Sequence, residues 1–142
     1  MAKARFFITG FLLLIVVAGL VLIPAVLPSF EEIEQVQSLD VFDLDLTAVT
    51  DGVHAGSFSY GTGEYPVAVA VEVTVSDGRI TDIIVTENED REHPQSAEAV
   101  LPRIVDAQSL DVEAVSGATT TSKALMKAVE NALLTAGATV DN

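Results

Sequence analysis

Cysteine is absent from this 142-residue chain. That excludes disulfides, thiolate metal sites, iron–sulfur ligation and haem attached through Cys. It also excludes a lipid-modified Cys as an anchor. A chain without thiols that moves electrons needs a non-thiol cofactor to carry them. Histidine is nearly absent. His54 and His93 are the two imidazoles, with no His-x-x-x-His spacing, so no metal site is expected. Gly-x-Ser-x-Gly is missing, and no His is placed to serve a serine, which argues against a serine hydrolase. Gly61-Thr62-Gly63 does not open a helix and the chain is short for a doubly wound sheet, which argues against a dinucleotide fold. There is no internal repeat and no low-complexity tract.

Basic residues are scarce and unevenly placed. After Lys3 and Arg5 there is no Lys or Arg until Arg79. The formal net charge is −14, and removing Lys3 and Arg5 from it leaves −16 on the rest of the chain. Such a domain is repelled by phosphate backbones, so nucleic acid is not expected as a partner. The bland reading of the acidity is solubility or growth in salt. The other is steering toward a basic partner.

Charge is missing altogether from Phe6 to Phe30, a run of 25 residues. A helix crossing the hydrocarbon needs about 20 apolar residues, whereas a signal-peptide core has about 7–15. Ile23-Pro24-Ala25 is a poor cleavage sequence, because a bulky Ile would occupy the −3 position. Residues 1–30 are therefore predicted to be a cytoplasmic N-terminus and an uncleaved transmembrane anchor. Pro24 and Pro28 kink or end it near the outer face. With Lys3 and Arg5 on the cytoplasmic side, everything after Phe30 is exported. The chain reads as a single-pass protein of the cell membrane with an extracytoplasmic domain.

What remains divides at a turn signal. Residues 31–50 read as an acidic linker, a short helical stalk followed by an extended piece. The domain is predicted over 51–142, from Asp51-Gly52 onward. Val53–Ser59 reads as a strand. Val67, Val69, Val71, Val73 and Val75 alternate with smaller or polar residues, the period of a strand with one apolar face. Asp77-Gly78 supplies the positive φ of a hairpin turn, and Ile80–Glu87 returns as its partner. A polar stretch, Asn88–Gln95, contains Glu89, Asp90 and Glu92 and reads as solvated. Ser96–Ser109 reads as helical, with Pro102 forcing a kink or two short helices. Asp111–Val115 is a short strand or an extended lead-in. Ser122–Ala136 is an amphipathic helix with Ala124, Leu125, Ala128, Val129, Ala132 and Leu133 on one stripe, stopped by Gly137. The expected fold is α+β: a small, mostly antiparallel sheet with two or three packed helices, after one N-terminal transmembrane helix.

The chemistry concentrates in Ser116-Gly117-Ala118-Thr119-Thr120-Thr121-Ser122, just ahead of that helix. Helix N-termini offer unpaired N–H groups and partial positive charge, a natural seat for phosphate. Gly117 and Ala118 allow close backbone approach. Five hydroxyls add donors without negative charge, in a gap between Glu113 and Glu130. The alternative is a hydroxyl-rich helix cap with a loop before it.

Asp111-Val112-Glu113-Ala114-Val115-Ser116-Gly117-Ala118-Thr119-Thr120-Thr121-Ser122 resembles the flavinylation motif of the FMN-binding domain family. That family includes the periplasmic flavoprotein subunits of sodium-translocating quinone reductases and of the related Rnf electron-transport complexes. Asp51-Gly52-Val53-His54-Ala55-Gly56 resembles its opening strand, Val71–Val85 its central hairpin, and Gln108-Ser109 its lead into the motif. The likeness spans about Asp51–Ala136. It implies that a separate flavin transferase, helped by a metal ion, cleaves FAD and attaches FMN through its phosphate to Thr119, a phosphoester. A threonine alcohol is a poor nucleophile and the motif has no His or Lys before Lys123, so an external enzyme must supply the base. The resemblance also implies a redox donor or acceptor at the membrane, and ring contacts from His93, Leu101 and Pro102. Tyr60 and Tyr65 either stack on the ring or pack in the core or rim. Two positions depart from the family: Glu113 stands where Asp is usual, and His54 where an aromatic is common. Three consecutive threonines leave the acceptor open. So do two competing readings, a non-covalent FMN-binding module and a cofactor-free surface domain.

Overall fold

A computed structural model describes residues 30–61, 67–89 and 94–140. The expected span, Tyr65, Asp90, Glu92 and His93 lie outside the described residues. Among the described residues no helix is long and apolar enough to cross a membrane.

The elements run α1 (Phe30–Gln37), β1 (Leu44–Asp45), β2 (Gly52–Tyr60), β3 (Val67–Ser76), β4 (Arg79–Asn88), α2 (Pro94–Ala97), α3 (Val100–Ala107), α4 (Thr119–Thr135) and β5 (Thr139–Val140). The chain is α+β, with a three-stranded antiparallel sheet in the order β2-β3-β4 and a two-stranded pair of β1 with β5. The alternating valines decide the centre. Val69, Val71, Val73 and Val75 of β3 are buried on one face. The β3–β4 turn takes positive φ at Asp77 (53°) and Gly78 (68°), the two-residue geometry that matches strand twist.

Helix α4 lies across β2 and β3 and buries the predicted stripe, Ala124, Leu125, Ala128, Val129, Ala132 and Leu133. The approach is close because β2 presents Gly56 there. A Cβ on Gly56 would land on the carbonyl of Ala128 and on Ala132. At the far end Gly137 (φ 110°) lets the chain turn back. Its N–H bonds to the Leu134 carbonyl at 3.2 Å, and that of Ala138 to Leu133 at 2.9 Å, closing off two orphan carbonyls.

One boundary differs from the sequence reading: helix α4 begins at Thr119 rather than Ser122. Of the two alternatives around Pro102, the pair of short helices is the one found, and the break falls ahead of the proline, which sits in the first turn of α3. There its missing N–H costs no intrahelical bond. Asp111–Val115 lies outside any strand or helix.

Residues 31–50, read from sequence as linker, contribute Val36, Leu44 and Val49 to the buried apolar set. They are also held by polar contacts. Lys123 Nζ donates to the Leu39 carbonyl at 3.3 Å, Ser109 Oγ to Asp43 at 2.9 Å, and the Thr50 amide to Ala136 at 3.2 Å. Below them, Lys127 pairs with buried Glu130 at 2.9 Å and lies 5.2 Å from the Phe42 ring centre.

Candidate functional site

The motif Ser116–Ser122 turns from an irregular lead-in into α4. Three side chains fix that lead-in. Gln108 takes a left-handed backbone (φ 56°) and pairs its amide with the Ile80 backbone in both directions, at 2.9 and 2.7 Å. Arg103 Nη1 donates to the Glu113 carbonyl at 2.8 Å. Ser122 Oγ accepts the Val115 N–H at 3.1 Å. Between these points Gly117 adopts φ 83°, with nothing near the position a Cβ would take.

The helix start is uncapped. The N-cap residue is Ala118, which makes no side-chain cap hydrogen bond. Alanine is a poor N-cap, since it offers no oxygen to the orphan amides. Among the described residues the Thr119 and Thr120 N–H groups have no backbone acceptor. No acidic residue lies in the first turn. The result is a set of donors at the positive end of a 17-residue helix, the electrostatics a phosphate needs.

The hydroxyls do not all face the same way. Ser116 is exposed. Ser122 is fully buried and holds the lead-in, so it shapes the site from behind. Thr121 is buried, with its Oγ1 3.4 Å from the Tyr60 hydroxyl. Thr120 is half-buried, and its Oγ1 accepts from Gln37 Nε2 at 2.9 Å. Thr119 is half-buried with no side-chain hydrogen bond among the described residues. The structure thus brings Ser116, Gly117, Thr119 and Thr120 together at the helix end, and turns Thr121 and Ser122 inward.

Leu101 is buried in the core cluster, leaving little surface for a ring, and Pro102 is exposed on α3. His54 donates to the Thr50 carbonyl at 2.7 Å. Among the described residues no cluster of His, Asp and Glu could hold a metal. Gln37 carried no signal in the sequence, since its partner lies 83 residues away. Tyr60, weighed as a stacking aromatic, meets the motif through its hydroxyl.

A model of the FMN-binding domain family matches residues 65–134. This stretch is an FMN-binding domain. It runs from two residues ahead of β3 almost to the end of α4, so the family's own segment contains the helix start and the central hairpin. FMN is accordingly the cofactor the match supports. The donors at the start of α4, the space over Gly117 and the lack of nearby acid all fit its phosphate. Similarity to curated proteins includes an uncharacterized protein of Treponema pallidum (strain Nichols), 40% identical over 85 residues, which covers 58% of this chain. The chain spans only 22% of that relative's length. No solved structure matches.

Proposed function

We propose that this FMN-binding domain holds its flavin covalently, as a phosphodiester to Thr119, and works as a membrane-anchored extracytoplasmic electron carrier. The observation that carries the reading is the uncapped start of α4. A hydroxyl-rich cap would bend a Ser or Thr oxygen back onto the first-turn amides. Here Ala118 occupies the cap position without a side-chain bond, and the hydroxyl next to the amides that lack a backbone acceptor among the described residues is that of Thr119.

The attachment chemistry balances without any change of oxidation state. Thr119 Oγ1 bonds to the FMN-side phosphorus of FAD, the pyrophosphate bond breaks, and AMP leaves. The threonine proton passes to a base on a separate flavin transferase, because the motif has none of its own. Bound FMN supplies reversible electron transfer. The chain's own residues hold the phosphate, through the Thr119 and Thr120 amides. They also keep acid away from it.

The tether supports a partner at the membrane. Helix α1 is eight residues long, about 12 Å at 1.5 Å per residue. Its last residue, Gln37, touches Thr120. With residues 6–30 in the bilayer, the flavin phosphate would sit within a short distance of the outer surface, in reach of a membrane redox donor or acceptor.

Protein co-expressed with an active flavin transferase tests the attachment. Yellow colour that survives denaturation and desalting is the expected result. Colour lost on denaturation would instead make this a non-covalent FMN-binding module. A colourless preparation would make it a cofactor-free surface domain.

A further inference from the structure

We infer that Gln37 selects the flavin acceptor: by holding the Thr120 hydroxyl it confines phosphate transfer to Thr119. The inference rests on the covalent reading above and adds a residue outside the family-matched segment 65–134.

Three consecutive threonines present the same alcohol. On a helix, neighbours differ by only about 1.5 Å of rise and about 100° of rotation. A transferase bringing a phosphate to the motif therefore needs something beyond chemical identity to choose among them. Burial removes Thr121, which is 3% exposed. Thr120 is half-buried like Thr119, so exposure does not separate these two. The Gln37 bond does. Gln37 Nε2 donates to Thr120 Oγ1 at 2.9 Å, occupying a lone pair on the oxygen that would attack phosphorus. It also fixes the Thr120 rotamer toward α1. Thr119 Oγ1 has no such partner among the described residues.

Helix α1 does not depend on this bond for its place. Val36 is buried, and Lys123 Nζ reaches the Leu39 carbonyl just beyond α1. Gln37 itself is exposed. Removing its amide therefore frees Thr120 while leaving α1 docked. The transfer at either threonine is the same reaction: threonine oxygen to phosphorus, AMP released, proton to the transferase.

The test uses the full chain, co-expressed with a flavin transferase, and locates the adduct by fragmentation mass spectrometry of the flavin peptide. The variants are Gln37→Ala, Gln37→Met, Thr119→Ala and the double variant Thr119→Ala with Gln37→Ala. Gln37→Met keeps the side-chain stem but has no donor. Wild type should carry flavin on Thr119 alone, and Thr119→Ala should carry none. Both Gln37 single variants should show a mixture on Thr119 and Thr120. The double variant should regain flavin on Thr120, a gain that loss of structure cannot produce. Flavin confined to Thr119 in both single variants, with a bare double variant, overturns the role of Gln37 and leaves the covalent reading standing. A wild type without adduct overturns both.

Discussion

From a fully buried position, Ser122 Oγ accepts the Val115 N–H at 3.1 Å. Ser122→Ala should leave that N–H unsatisfied and lower stability by about 1–3 kcal/mol, read from denaturant melts. The adduct site should stay unchanged, since the buried serine holds the loop from behind; a shift in flavin position would show that it contacts the phosphate. A second residue-scale test concerns Asp45. The Thr47 amide donates to it at 2.8 Å, and this bond, helped by the Thr47 hydroxyl, holds its carboxyl below the usual aspartate value. A depressed folded value contributes stability above the ordinary aspartate pKa and loses it as pH falls through the folded one. Melts of Asp45→Asn against wild type should therefore differ at neutral pH and converge in acid. A gap that widens in acid would contradict the assignment. At this scale the sequence is a poor guide. It locates the hydroxyls of the motif but not their directions. Thr120 and Thr121 are set by Gln37 and Tyr60, 83 and 61 residues away.

At the scale of elements, legibility follows the range of the interactions. The β3–β4 hairpin is readable because its signal is local: alternating valines, then Asp77-Gly78 with both residues at positive φ. The α4 stripe is readable for the same reason. The start of α4 is not, because threonines are weak helix formers and Gly117 reads as loop. The packing of residues 36–49 is also hidden, since an acidic stretch with scattered apolar residues shows nothing of the distant groups that hold it. Gly56 is a middle case. Its glycine is visible, but its reason, contact with Ala128 and Ala132, exists only in the fold. Gly56→Val should push β2 from α4 and destabilise the domain by at least about 1–3 kcal/mol, the usual range for overpacking. Unchanged thermal stability would mean that the two elements do not meet this closely.

For the whole molecule, charge and the proposed tether set the behaviour. Residues after Arg5 carry a formal −16, from a total of −14 that includes Lys3 and Arg5. Association with a basic redox partner should slow as salt is added, because the Debye length falls from about 10 Å at 0.1 M to about 3 Å at 1 M. Stopped-flow reoxidation with a basic acceptor measures it, and a rate independent of ionic strength would count against steering. A reporter fused after Asn142 should be active only outside the cytoplasm, following Lys3 and Arg5. Activity inside would place the flavin in the wrong compartment for the proposed carrier.

The most direct test of the central claim is intact-mass measurement on Thr119→Ala, Thr120→Ala and Thr121→Ala, each made beside an active transferase. The helix start leaves Thr119 uncommitted while Thr120 and Thr121 are engaged. The first variant should therefore lack the flavin mass and the other two should keep it. A Thr119→Ala protein that still carries covalent FMN would remove Thr119 from the role assigned to it.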